Sequence, residues 1–349
     1  MSWDNFQSLS VKDRAPYLSD DNNNFVHLIY AQQFNRENLE YLGNIATKIR
    51  HMAKTKDGAN FLGNLLSHKR AMLYFTQPST RTFLSFTAAC QILGMKISEV
   101  RDPSMSSEYK GESSEDSIRV FSSYSDLIVM RTQLKGLAEK MSWLFSSSKR
   151  LVPIINAGSG KDQHPTQALL DIYTLQRSFE EIGGIDGKHI VFVGDLLRGR
   201  TVRSLAFLLG NYNDVKITFV APKQFQIAED ILKYLDKKNI SYELSQDFQA
   251  TIPKADAIYM TRVQDEWDNE DDDSSKVDIS KFWLGDDELK LMQKHAVIMH
   301  PLPRREEIST SIDSDERAIY WRQMRNGMWA RTALIAQIFS VDKDIIEYE

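Results

Sequence analysis

A single cysteine, Cys90, stands among 349 residues, which excludes an intrachain disulfide framework and any cysteine-based metal cluster. Long apolar runs are missing as well, none approaching the ~18 residues of a membrane-crossing helix. Positive charge is not in excess. The net charge is −5, so no global electrostatic case exists for nucleic acid or an anionic membrane as partner. The opening stretch, MSWDNFQSLSVKDRAPYLSDDNNN, is polar and lacks the apolar segment of a signal peptide, so a cytoplasmic, soluble protein is expected. There is no Walker A motif, and the turn in VGDLLRGRTVRSL lacks the G-x-G-x-x-G of a dinucleotide cradle. Metal-ligand clusters and serine or cysteine nucleophile motifs are absent too, so neither a metal nor an organic cofactor is expected.

What is present is an alternation. At ~150 residues per domain the length allows two domains, and a hydrophobic content of 42% supplies ordinary cores. The first 24 residues end in a polar Asp-Asn-Asn-Asn run and are expected to form an extension or partly ordered arm. Beyond them RAMLYF, DLIVMR, LVPIIN, HIVFVGD, KITFVAP, AIYMTRV and AVIMHPL read as strands. EDSIRVFSSY, HPTQALLDIYTLQ and RTVRSLAFLLG read as helices between them. Such alternation predicts an α/β fold with parallel sheets covered on both faces, where ligands bind beyond the carboxyl ends of the strands. Ser79, Arg131, His164, Asp195, Arg262 and His300 all fall there, which argues for one shared site. The acidic run DNEDDDSSK (268–276) lacks the ligand order and turn glycine of a calcium loop and reads as a solvated loop.

The stretch FTQPSTRTFLSF (75–86) places Ser79 as the N-cap of a helix whose apolar face carries Phe83, Phe86 and Cys90. A helix start attracts anions, and Thr80, Arg81 and Thr82 strengthen that attraction beyond what capping requires. Arg131 ends a very apolar strand, a costly place for a charge without a partner. His164 stands just before Pro165 at a helix start, where the neutral imidazole is favoured and can donate a hydrogen bond; Gln167 follows in the first turn. His27, His51, His68, His189 and His295 read as structural. Arg198, Arg200 and Arg203 crowd one turn and suit a carboxylate, and Arg262 and Gln264 lie two apart at a strand end, pointing the same way. Ser106 and Lys110 lie in a polar loop, a weak signal alone. His300-Pro301-Leu302-Pro303 fixes a backbone that can aim carbonyl oxygens. Arginines, a lysine, hydroxyls and one neutral histidine suit charge stabilisation and orientation without a covalent intermediate.

These motifs, in this order, resemble the aspartate/ornithine carbamoyltransferase family, on its aspartate side, from about Phe25 nearly to the C-terminus. The resemblance implies that Ser79, Thr80, Arg81, Thr82 and Arg131 hold the phosphate of carbamoyl phosphate, and that Thr82, Arg131 and His164 polarise the carbamoyl oxygen. Gln167 and the backbone of Pro301 and Leu302 would grip the carbamoyl nitrogen. Arg200, Arg262 and Gln264 would hold the carboxylates of aspartate, with Leu302 and Lys110 beside them. Ser106 and Lys110 match residues that the family supplies from a neighbouring subunit, which implies a homotrimer with shared sites. The H-C-L-P and S-M-G motifs of the ornithine branch are not found.

The implied architecture is two doubly wound parallel-sheet domains: an extension over 1–24, a carbamoyl-phosphate domain over 25–165 completed by a C-terminal helix over 326–349, and an aspartate domain over 166–325. The implied reaction carries the carbamoyl group to the amine of L-aspartate, a step of pyrimidine biosynthesis. Transfer to another amine acceptor, or a catalytically silent relative serving as subunit or scaffold, are the alternatives; Arg81, Arg131 and His164 are all present against the second. Two positions depart from the family pattern. Gln77 replaces a glutamate and Trp267 an arginine, so a pair of opposite charges is lost together.

Overall fold

A computed structural model describes residues 1–20, 24–102, 110–148, 150–158, 163–265 and 277–349. The chain divides into two compact units, one formed by 1–170 with 325–349 and the other by 171–324. In the first unit β1 (Arg70–Phe75), β2 (Lys96–Val100), β3 (Leu127–Arg131) and β4 (Ile154–Asn156) form a parallel sheet in the order β2-β1-β3-β4. In the second, β5 (His189–Val193), β6 (Lys216–Val220), β7 (Ser241–Ser245), β8 (Ala257–Met260) and β9 (Val297–Met299) are parallel in the order β7-β6-β5-β8-β9.

The apolar runs read as strands become the interior of these sheets. All five residues of β3 and of β5, and all four of β8, are buried, as expected for strands covered on both faces. Two strands went unread. KISEV (β2) and SYELS (β7) are outermost in their sheets, and in each only the second and fifth residues are even half-buried, so neither needs an apolar run. Each sheet reverses its strand order once, between β1 and β3 and between β5 and β8. Ser79–Thr82, Arg131, Arg200, Arg262 and Gln264 lie at the carboxyl ends of those four strands, where crevices open, while His164 and Gln167 follow β4 and Pro301 and Leu302 follow β9.

Residues 1–20 are packed rather than extended. Helices Trp3–Ser8 and Val11–Arg14 place Phe6, fully buried with Leu18, into a cluster with Met72, Ile128, Met141 and Phe145. The Trp3 ring meets Trp143 at 5.5 Å in a tilted contact, and Arg14 bonds Glu139 and the Tyr30 hydroxyl. Burying one phenylalanine contributes about 1.5–3 kcal/mol, to which the buried Leu18, the Trp3–Trp143 contact and the Arg14–Glu139 pair add. Cys90 is fully buried, and burial pushes its thiol up to about 12, so it serves the core.

Candidate active site

In the first unit, sheet register brings the candidate residues together. Phe75 at the end of β1 pairs with Arg131 at the end of β3, and the Gln77 amide extends the ladder by donating to the Arg131 carbonyl at 3.2 Å. The helix Thr80–Ile92 therefore starts beside Arg131. Ser79 occupies the N-cap with extended backbone, as the sequence reading places it; its hydroxyl makes no capping bond, and the Phe83 N–H donates to its carbonyl. The first-turn N–H groups of Thr80, Arg81 and Thr82 project from a helix start with no side-chain cap, the arrangement that suits a phosphate. A cavity of about 220 Å³ opens there, lined by Phe75, Pro78, Ser79, Phe83 and Arg101. Arg101, whose guanidinium lies 4.5 Å above the Phe83 ring, was not singled out in the sequence, where it reads as one more exposed cation.

Arg131 and Thr82 are buried, whereas Arg81 is exposed. Arg131 Nη1 donates to the Ala157 carbonyl at 3.1 Å. The next residue, Gly158, has φ +99°, and a Cβ built on it would lie 2.7 Å from Arg131 Nη1 and 2.9 Å from His164 Cδ2. Only glycine lets the guanidinium and the imidazole flank this turn so closely. Its amide is held by Asn156 Oδ1 at 2.9 Å. His164 is buried and opens the helix Pro165–Phe179: its carbonyl accepts from the amides of Gln167 (3.0 Å) and Ala168 (3.1 Å), and its Nδ1 lies 3.5 Å from Thr166 Oγ1. Gln167 is buried one turn further on. Lys110 is exposed, ahead of the helix Ser114–Tyr124, while Ser106 lies outside the described residues.

The second unit corrects one reading. Of the three arginines expected to crowd an anion site, Arg198 donates through Nε to Asp195 Oδ2 at 2.9 Å, and Arg203 through Nη1 to Asp230 Oδ1 at 3.0 Å. Both serve internal carboxylates; Arg200 begins the helix Arg200–Leu209. Asp195 is fully buried, and burial raises its pKa despite the amides of Gln264 (3.1 Å) and Arg198 (3.2 Å) and the Arg198 guanidinium. Gly194, φ +114°, lets the exits of β5 and β8 touch, since a Cβ there would sit 2.1 Å from the Thr261 carbonyl. Because β8 ends at Met260, Arg262 and Gln264 lie in the loop beyond it, so strand alternation does not aim them. The Asp195 bond to the Gln264 amide and an Arg262 Nη1 bond to the Val263 carbonyl (2.8 Å) shape that loop. Pro301 and Leu302 are half-buried after β9, and the Leu302–Pro303 bond is cis. Trp267 lies outside the described residues. Among the described residues no cluster of three or more histidine, cysteine or acidic side chains could hold a metal ion.

Two α/β units with parallel sheets, one with a helix start that has no side-chain cap and the other with arginines on its strand-exit loops, match known proteins over most of their length. A profile for the carbamoyl-P binding domain of aspartate/ornithine carbamoyltransferases matches residues 26–177, and one for the family's Asp/Orn binding domain matches 186–338. Aspartate carbamoyltransferase 1, chloroplastic, of Pisum sativum is 42% identical over 309 residues, covering 88% of this chain and 77% of the pea protein. The aspartate carbamoyltransferase catalytic subunit of Chromobacterium violaceum is 37% identical over 314 residues, 90% of this chain and 98% of that one. Among solved structures, the catalytic subunit of M. jannaschii aspartate transcarbamoylase superposes with a TM-score of 0.80 at 36% identity, covering 91% of this chain and 99% of that chain. Aspartate transcarbamoylase from Trypanosoma cruzi, in complex with N-(phosphonacetyl)-L-aspartic acid, gives 0.78 at 33%, covering 88% and 94%. The chain belongs to the aspartate/ornithine carbamoyltransferase family.

Proposed function

We propose that the protein transfers the carbamoyl group of carbamoyl phosphate to the amine of L-aspartate, giving N-carbamoyl-L-aspartate and phosphate. The observation that carries this reading is the uncapped helix start at Ser79–Thr82, held by sheet register beside Arg131, with His164 drawn against Arg131 across Gly158. Ser79, Thr80, Arg81, Thr82 and Arg131 hold the phosphate. Thr82, Arg131 and His164 stabilise negative charge that develops on the carbamoyl oxygen. Gln167 and the Pro301 and Leu302 carbonyls take the carbamoyl nitrogen, while Arg200, Arg262 and Gln264 hold the two carboxylates of aspartate.

The uncharged amine attacks the carbamoyl carbon, and the carbonyl π pair moves onto oxygen. Collapse of that intermediate breaks the bond to the phosphate oxygen, which leaves with the electron pair and takes the amine proton. An acceptor screen tests the reading: phosphate release from carbamoyl phosphate is expected with aspartate, and not with ornithine or acetylated ornithine. Turnover with ornithine alone would move the protein to the other branch of the family.

The assembly we propose is a homotrimer in which Ser106 and Lys110 complete a neighbouring subunit's site. Mixing inactive Lys110→Ala and His164→Ala chains should then restore part of the activity, because hybrid trimers contain sites with neither lesion. No recovery after verified subunit exchange would mean that each chain builds its own site. The proposed compartment is the cytoplasm, although the pea and Arabidopsis relatives are chloroplastic by name. Imaging of a C-terminally tagged full chain decides it.

A further inference from the structure

We propose that His300 is a positioning residue: its imidazole Nδ1 holds the Leu302 amide so that the Pro301 and Leu302 carbonyls are presented to the carbamoyl nitrogen. This rests on the proposed carbamoyl transfer, and it assigns work to a side chain that touches no substrate. His300 follows β9 and is fully buried. Its Nδ1 lies 2.7 Å from the Leu302 amide, and its Nε2 lies 2.8 Å from Glu307 Oε1. An amide N–H can only donate, so Nδ1 must be the bare nitrogen, and Nε2 carries the ring proton and donates it to Glu307. One neutral imidazole thus uses its acceptor on the backbone and its donor on a carboxylate.

The surroundings lock that tautomer. Glu307 also accepts from the Arg305 amide, at 3.0 Å through Oε1 and 3.1 Å through Oε2. Burial alone would raise the Glu307 pKa, yet the bonds from His300 and the Arg305 amide leave it lower than usual, so the carboxylate is charged and acts only as acceptor. The His300 amide donates to Gln323 Oε1 at 2.9 Å, Gln323 Nε2 donates to Asp171 Oδ1 at 2.7 Å, and the Tyr259 hydroxyl donates to Asp171 Oδ2 at 2.8 Å. The His300 backbone is therefore anchored back to β8 through buried groups only.

What the imidazole holds is an unfavourable backbone. Leu302 has φ +54°, the left-handed region that a residue with a Cβ avoids and keeps only where its surroundings impose it. Among the described residues neither the Pro301 nor the Leu302 carbonyl accepts a hydrogen bond. With the Leu302 amide tied inward, the segment offers acceptors alone, which matches a carbamoyl –NH2 with two protons to donate and rejects a group that carries none.

Two substitutions separate this role from simple pairing with Glu307. His300→Asn places Oδ1 where Nδ1 was, keeping an acceptor for the Leu302 amide and giving up Glu307. His300→Gln reaches Glu307 but leaves that amide without its acceptor. We expect His300→Gln to lower kcat/KM for carbamoyl phosphate by ~30-fold or more, with KM for aspartate within ~3-fold, and His300→Asn to recover to within ~5-fold of the parent. The reverse order, or equal loss in both, overturns the proposal. A measurement on the unsubstituted chain covers variants that do not fold: in a ¹⁵N-histidine spectrum His300 should show a bare Nδ1 and a protonated Nε2, and a protonated Nδ1 overturns it. Absence of any turnover by the parent chain with carbamoyl phosphate and aspartate would instead sink the proposed function, leaving the tautomer measurement to judge His300.

Discussion

The two units differ in what they bury. Among the described residues the first unit buries one carboxylate, Asp342, which accepts from Tyr41 at 2.6 Å in the C-terminal helix Asp342–Glu347; the second buries three, Asp171, Asp195 and Glu307. Around the strand exits of the first, the buried polar groups include Gln77, Thr82, Arg131, Thr132, Asn156, His164, Thr166 and Gln167, all neutral or cationic. In the proposed reaction the phosphate sits there, and a carboxylate beside it in a low-dielectric site would repel it by several kcal/mol. In the second unit, carboxylates serve as internal acceptors for loop amides: Asp195 for Arg198 and Gln264, Glu307 for Arg305. Charge-assisted bonds of this kind hold loops in shape. The lesson is that, among the described residues, the first unit buries no carboxylate at its strand exits, whereas the second unit uses buried carboxylates to hold its own loop backbone.

The most severe way to break that contrast is to remove the first unit's cations. Arg81→Ala and Arg131→Ala should each lower kcat/KM for carbamoyl phosphate by ~10²–10³-fold, about 2.7–4 kcal/mol, in steady-state phosphate release. Near-normal rates with the fold intact would remove the donor assignment. Next comes Gly158→Ala. Its Cβ would push on Arg131 Nη1 at 2.7 Å and His164 Cδ2 at 2.9 Å from a backbone of φ +99°, so a cost of about 1–3 kcal/mol in stability and a ~10–100-fold loss in kcat are expected. Thermal melting and initial rates check both.

Asp195→Asn tests the second unit's use of anions. It keeps an acceptor for the Gln264 amide but gives up the charge toward Arg198, so we expect about 1–2 kcal/mol of lost stability and a ~10-fold rise in KM for aspartate, with KM for carbamoyl phosphate within ~3-fold. Equal rises for both substrates would mean that the carboxylate does not act through the acceptor loop.

The smallest effect sharpens the comparison by pH. His27, buried in the first unit, is lowered by desolvation from 6.5 to about 3, and its Nδ1 accepts from the Ile154 amide at 3.0 Å. Between those two values only the unfolded chain binds the extra proton, so stability falls as pH drops below about 6.5. Glu307 has the opposite character. Its folded pKa is below the ordinary 4.5, so its contribution is complete above that value and is lost as pH falls through the folded pKa. We therefore expect acidification from pH 7 to 5.5 to cost about 1 kcal/mol through His27, a loss that His27→Asn removes and Glu307→Gln leaves in place. Denaturant unfolding at the two pH values measures it; an unchanged slope in His27→Asn would count against the assignment.

Local pattern made much of this protein legible. RAMLYF, DLIVMR, HIVFVGD and AIYMTRV read as strands because an interior strand of a parallel sheet must be apolar on both faces, and that demand is written in consecutive residues. The helix start at Ser79–Thr82 was legible for the same reason, since strand, turn and hydroxyl-rich first turn are neighbours in sequence. The edge strands KISEV and SYELS escaped because strands so largely exposed ask for few apolar residues, and the packed N-terminal segment escaped because its few apolar side chains, Trp3, Phe6 and Leu18, meet partners far along the chain.

By itself, then, the sequence determined the class of fold, the strands that build the sheet interiors, the inventory of cations and hydroxyls, and through motif order the family. Tertiary structure decided which of those groups are committed and which way they point. Arg198 and Arg203 look alike beside Arg200 until Asp195 and Asp230 are brought to them, and Gly158 looks like any turn glycine until Arg131 and His164 close on it. His300 looks like a strand-end histidine until Leu302 and Glu307 assign its two nitrogens, while its backbone amide is held by Gln323, 23 residues later, which in turn bonds Asp171 far earlier in the chain. The physical reason is range. Burial pattern and helix capping act over a few residues, whereas a hydrogen bond or ion pair acts within about 3 Å of space, and only the sheet order determines which distant residues meet at that distance.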